Sequence, residues 1–279
     1  MDAINRGNSG CDVPLTFAVG RMAAPGDRTR SKPRNRLLAA LPHEVLSSVR
    51  PHLKPVSLAW GRVLGEANAP LTRVYFVETG VVSLLAVFED RTTAEMATVG
   101  REGVVGVSAI LGGGSALGRY VVPMHGIALT VEVSRFRSLL RDSPPLRAAC
   151  VAYAQAFLRE ALQTAACNSV HMVEERCARW LLTSHDRSDG DTITLTQEYL
   201  AEMLGVCRST VTLAAGALQR AGLIRYRRGA IAVLNVPGLE AVSCECYRII
   251  RDHYERLLPI TDSKQLPSID EPRLSRAFA

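Results

Sequence analysis

The chain has 279 residues, 47% hydrophobic and 22% charged, with Lys+Arg 33 against Asp+Glu 27 and a formal net charge of +6. Two domains or one large one are expected at this length, and the mild basic excess is compatible with nucleic acid without requiring it. There is no apolar run of about 18 residues to span a membrane and no apolar leader segment after Met1.

Residues 1–33 are rich in Gly, Pro, Asn, Arg and Asp without periodicity and read as a disordered tail. Residues 34–142 read as one strand-rich domain. Its entry, "LLAALPHEVLSSVRPHL", predicts short helices with Leu38, Leu41, Val45, Leu46 and Val49 turned inward. "VSLAW", "RVYFVETG", "VVSLLAVF", "AEMATVG", "RYVVP" and "IALTVEV" follow as short strands between Gly, Pro and charged breaks. This is the pattern of a small β-sandwich or jelly roll. Ser134 is placed to cap a helix running through Leu140.

Pro144–Pro145 opens a long helix over 143–170. Leu146, Cys150, Tyr153, Phe157 and Ala161 repeat at nearly four-then-three spacing, as in a coiled-coil seam, with Ala149, Ala154, Ala165 and Ala166 small enough for close approach. This stripe serves either a homodimer seam or packing on the chain's own sandwich; the dimer is favoured because it supplies a two-fold axis.

Residues 171–237 begin with a helix, "HMVEERCARWLLTSH", whose Val173, Cys177, Trp180 and Leu181 face inward. Next comes "TQEYLAEMLGVCRSTVTLAAGALQRAG", which reads as two helices about a glycine turn. Thr194 or Thr196 caps the first, and Leu200, Met203 and Leu204 share one face. Gly205 makes the turn, and Val211, Ala215 and Leu218 form the buried stripe of the second. That is a helix-turn-helix, a unit that lays its second helix in the DNA major groove. Arg208, Ser209, Thr210 and Thr212 lie on its open face, where hydroxyls suit phosphates and an arginine suits guanine edges; Gln197 reaches a phosphate from the first helix. "GLIRYRRGAIAVLN" then predicts a hairpin wing whose Arg225, Arg227 and Arg228 add salt-dependent affinity. Residues 238–279 read as one more helix, at about 238–258, and a loose tail.

The seven cysteines are Cys11, Cys150, Cys167, Cys177, Cys207, Cys244 and Cys246, scattered unlike a secreted disulfide framework. Cys244 and Cys246 are the only close pair, and no histidine or cysteine follows at a ligand interval, so neither a zinc nor an iron–sulfur site is expected, and no cofactor. Reduced thiols in a cytoplasm are the expectation. Cys207 precedes Arg208 at a helix start, which makes it either a reactive thiol or a small buried capping residue.

The order of strand-rich domain, long helix and winged helix-turn-helix resembles the Crp/Fnr superfamily of bacterial transcription regulators over roughly residues 35–238. The motifs that carry the likeness are "ERCARWLL", "LTQEYLAEMLGVCRSTVT", "ALQRAGLI", "YFVETGVVSLL" and "GREGVVG". The resemblance implies an α+β chain: an N-terminal double-stranded β-roll (jelly roll) like a cyclic-nucleotide-binding domain, a dimerisation helix, and a C-terminal winged helix-turn-helix. It implies a homodimer on a near-palindromic promoter, with RNA polymerase as a partner if the protein activates.

Departures from the family pattern narrow this. Members that bind cyclic AMP place a glutamate where Val107 follows Gly106 here, so a ribose acceptor is missing. Arg119 matches the family's phosphate-binding arginine or is a surface residue of a flexible hairpin, and Tyr120 stands where a small hydroxyl residue is usual. Gly106, Val107, Arg119 and Tyr120 thus mark an effector pocket with cyclic AMP excluded. Ser209 and Leu213 stand where the family often has a base-reading glutamate and an arginine, so a different half-site is expected. His125 and His171 read as turn or helix-surface residues rather than haem ligands. No catalytic residue is expected. The rival from another class, a metal-dependent cupin-like enzyme, needs histidines clustered on the strands, where only His125 lies.

Overall fold

The computed structural model describes residues 32–258 except Arg91, Asp189 and Arg228. The expected tail at 1–33 and the stretch after 258 lie almost wholly outside the described residues.

Two short helices, α1 (Arg36–Ala39) and α2 (His43–Val49), lead in. Asn35 caps α1 through its side chain, which accepts from the Leu38 backbone N–H. Leu38, Leu41 and Val49 are buried as expected. The strands are β1 (Lys54–Leu58), β2 (Val63–Gly65), β3 (Arg73–Val87), β4 (Thr93–Val99) and β5 (Val104–Val105), then β6 (Arg119–Glu132) after the short helix α3 (Val107–Ile110). They form one six-stranded antiparallel sheet with β1, β6, β3 and β4 in order, β2 added on β6 and β5 on β3.

Four of the expected short strands fuse pairwise into β3 and β6. The predicted breaks at Gly80 and Gly126 are corners within continuous strands, with irregular register between Val77 and Ser83. A Cβ on Gly126 would lie 1.9 Å from the Thr79 carbonyl oxygen, and one on Gly80 2.6 Å from the carbonyls of Met124 and His125. Only glycine lets the two backbones approach this closely, and the bend closes the sheet around a core led by Phe76, Tyr120 and Phe136.

Helix α4 (Val133–Asp142) follows β6 directly, so Ser134 falls inside it rather than at its cap. Ser143 caps the long helix α5 (Pro144–Val170). Leu146, Cys150, Tyr153 and Phe157 are buried in the roll's own core, which corrects their assignment to a dimer seam. The apolar stripe that α5 leaves exposed is shifted by about one residue to Val151, Leu158 and Leu162.

Helix α6 (Val173–Arg187) starts a second core with the strand β7 (Thr192–Thr194), α7 (Gln197–Leu204), α8 (Arg208–Arg220), β8 (Ile224–Arg227) and β9 (Ala230–Val233). Strand β7 was not anticipated; it makes the wing a three-stranded sheet in the order β7-β9-β8. Val81, Leu85, Val121 and Met124 of the roll belong to this second core, and the Trp180 indole N–H donates to Glu95 of β4 at 3.0 Å. The expected single helix at 238–258 is two, α9 (Val236–Ala241) and α10 (Cys246–Leu257). α10 packs on α5 rather than on the wing, adding Ile250 and Tyr254 to the first core.

Candidate nucleic-acid interface

Thr196 caps α7 by accepting from the Tyr199 N–H, and Leu200, Ala201, Met203 and Leu204 are buried. Gly205 ends α7 with φ 63°, a conformation that strains any residue with a Cβ, and turns the chain into α8. Val211, Ala214, Ala215 and Leu218 seat α8 on the second core. Burying that face leaves the N-terminal residues Arg208, Ser209 and Thr212 exposed, with Thr210 half-buried beside them.

The expected polar groups come together, but they are not idle. The Thr212 hydroxyl is 3.0 Å from Gln197 Oε1 and 3.0 Å from the Arg208 carbonyl. Arg208 forms an ion pair with Glu198 of α7 at 2.8 Å, both side chains being largely exposed. Reading by position missed Glu198, the partner that holds that guanidinium. Leu213 is 69% exposed on the same face, an apolar surface suited to a thymine methyl group. Arg225 and Arg227 are exposed on β8 beside α8; Arg228 lies outside the described residues.

Cys207 is at the N-cap position of α8 without a side-chain cap hydrogen bond, and it is exposed, which corrects the alternative of a small buried capping residue. Its sulfur lies 3.1 Å from the Ser209 hydroxyl and 3.0 Å from that of Thr210. These hydrogen bonds, Ser209's first, bring the thiol down to about 7. Arg208, which the sequence reading placed behind the shift, is not its source.

Of the four residues expected to mark an effector pocket, two are buried in the roll's core and one is held at the surface by an ion pair. Gly106 takes φ 102° at the start of α3. Val107 and Tyr120 are buried in the roll's core, and burial pushes the Tyr120 hydroxyl up to about 12. Arg119 is held outside by Glu66, 2.8 Å away. His125 stands exposed at the β3–β6 corner, apart from the strand interiors where a metal enzyme would gather its ligands.

A different ligand set appears elsewhere. Cys167, His171, Cys244 and Cys246 bring their side-chain donor atoms within 4.8 Å of one another. Ligand spacing missed this convergence, because the four residues come from segments far apart in the chain. His171, read as a surface residue, belongs to the group.

Residues 175–242 match the Crp-like helix-turn-helix domain family. No curated protein matches the sequence. Among solved structures, FixK2 from Bradyrhizobium japonicum is similar with a TM-score of 0.60 at 19% identity, covering 69% of this chain and 98% of that one. TTHB099, a CRP-family transcriptional regulator from Thermus thermophilus, gives 0.57 at 17%, covering 67% and 96%. CLP, the c-di-GMP responsive global regulator of Xanthomonas campestris, gives 0.55 at 17%, covering 69% and 99%.

Proposed function

From a chain that carries a Crp-like helix-turn-helix domain on the fold of Crp/Fnr transcription regulators, we propose a homodimeric regulator that binds a near-palindromic promoter site. The observation that carries this reading is the open face of α8. Its N-terminal amides, Ser209, Thr212 and Arg208 stand clear of the core that holds the opposite face, with the arginines of β8 alongside. Amides and hydroxyls position the phosphates, Arg208 and Leu213 read base edges, and Arg225 and Arg227 supply attraction that salt screens. The exposed Val151, Leu158 and Leu162 stripe of α5 supports pairing with a second copy.

The reading excludes cyclic AMP as the effector. A ribose needs an acceptor where Val107 is buried, and the arginine that would meet the phosphate is paired with Glu66. A cytoplasmic protein is the matching location, and RNA polymerase is the further partner if the protein activates.

Selection from a random duplex pool by the purified protein at low salt tests the core of this. Recovery of a two-fold symmetric site supports it, and failure to retain any duplex overturns it. Calorimetric titration with cyclic AMP should show no binding.

Cys207 is proposed as a reactive thiol at the DNA surface. Its alkylation by iodoacetamide should rise with a midpoint near pH 7 and weaken DNA binding, and Cys207→Ser should be insensitive. Alkylation with an ordinary thiol's pH profile would count against it.

A further inference from the structure

Cys167 lies in the last turn of α5 and His171 is that helix's C-cap, so both project from the same helix end. Cys244 and Cys246 flank Glu245, the N-cap of α10. The Cys167 and Cys244 sulfurs are 3.5 Å apart, and Cys246 Sγ is 3.6 Å from His171 Nδ1. All three cysteines are buried, whereas the imidazole sits at the rim.

Three features separate this group from ordinary core cysteines. First, the three thiols form a buried cluster of their own, belonging to neither hydrophobic core. Second, His171 Nε2 is 3.2 Å from Glu245 Oε2, leaving Nδ1 to face the sulfurs. A carboxylate on one ring nitrogen and a metal on the other is how ligand histidines are oriented. Third, Arg176 and Arg179 of α6 are buried, and the Nε of each lacks a hydrogen-bond partner among the described residues. Both guanidiniums interact electrostatically with the thiol group. Three thiolates around a divalent ion carry one net negative charge, which neutral thiols do not offer these guanidiniums.

We propose that Cys167, His171, Cys244 and Cys246 form a tetrahedral site for one thiophilic divalent cation, zinc foremost, with Glu245 orienting the histidine. Tetrahedral Zn–S bonds of about 2.3 Å set sulfurs roughly 3.8 Å apart, close to the 3.5 Å seen and inside the 4.8 Å limit of the group. An iron–sulfur cluster holds its terminal thiolates further apart, so a single ion fits. Binding deprotonates the thiols and releases their protons to solvent, with no change of oxidation state. The ion joins the end of α5 to the segment between α9 and α10. It thus clasps the joint at Val170–Met172, from which the helix-turn-helix domain departs.

The test uses the full-length protein, reduced and freed of metal. Titration with Co2+ should saturate at one ion per chain, with thiolate charge-transfer absorption and the visible bands of tetrahedral cobalt, and Zn2+ should bleach them. Cys244→Ser/Cys246→Ser should abolish both signals. Glu245→Gln, a surface change that leaves the fold in place, should weaken zinc affinity about 10-fold or more. Absence of the cobalt bands in the reduced wild type overturns the site, as does full binding by the double variant. A Cys167–Cys244 disulfide that persists under reductant and blocks cobalt also overturns it. None of these readouts involves DNA, so they stand or fall apart from the regulator reading.

Discussion

The Arg187 guanidinium lies 2.8 Å from the Glu102 carboxylate with both side chains buried. Glu160 of α5 approaches the same guanidinium at 3.4 Å and accepts hydrogen bonds from Thr98 Oγ1 at 2.9 Å and the Tyr254 hydroxyl at 2.7 Å. One arginine at the end of α6 thereby ties together the roll, the long helix and α10. The carboxylates hold it charged, since both neighbours outweigh the burial that opposes ionisation. Arg187→Ala leaves two buried carboxylates without their cation and should destabilise the protein by about 3–5 kcal/mol. Urea unfolding measures this, and a midpoint equal to wild type would refute the assignment. Arg187→Lys should rescue only partly, because one ammonium does not span both carboxylates.

Glu95 makes stability depend on pH. It accepts from Ser83 at 2.7 Å and Trp180 at 3.0 Å, but burial dominates and raises its carboxyl to about 7 from 4.5. The folded state therefore binds a proton that the unfolded chain has released between pH 4.5 and 7. This contribution is fully present below about 4.5 and is lost as pH rises through 7; over that window it amounts to roughly 3 kcal/mol. Glu95→Gln should flatten this part of the profile and stabilise the protein at pH 8. An unchanged slope in denaturation midpoints across that range would show that Glu95 is not its source.

Arg208 is expected to grip a base pair, and Arg208→Ala should cost about 1–3 kcal/mol of operator binding. Its exposed pair with Glu198 has a consequence of opposite sign. Exposed pairs add little stability, so Glu198→Gln should leave folding untouched while freeing Arg208, tightening DNA binding several-fold at low salt. Fluorescence anisotropy with a labelled operator reads both effects. Weaker binding by Glu198→Gln would mean that the carboxylate positions Arg208 rather than competing for it.

Leu158 and Leu162 are 58% and 60% exposed on α5. Leu158→Asp/Leu162→Asp should leave a folded monomer by analytical ultracentrifugation and lose cooperative binding to a two-half-site duplex, with far-UV circular dichroism unchanged. A variant that remains dimeric would place the interface elsewhere.

The helix-turn-helix was legible because its signals are local. Its apolar period, the Thr196 cap and the Gly205 turn all act within a few residues, and the chain folds there as its propensities direct. The long helix was legible as a helix but not in its orientation. It is apolar on two faces, and only the packed structure shows that Tyr153 and Phe157 belong to the roll while Leu158 and Leu162 do not. The residues at the expected effector pocket were legible only by position: the motif does not reveal that Val107 and Tyr120 turn into the core.

Sequence alone determined the local units here: the Thr196 helix cap, the Gly205 turn, the basic strand and the order of domains, each specified by neighbours along the chain. Tertiary structure decided what depends on distant segments meeting. Cys167 and Cys244, 77 residues apart, reach 3.5 Å only because α10 folds back along α5. Arg187 finds Glu102 only when α6 docks on the roll. Such contacts are set by the burial of whole faces, and the separation of these residues along the chain does not disclose them.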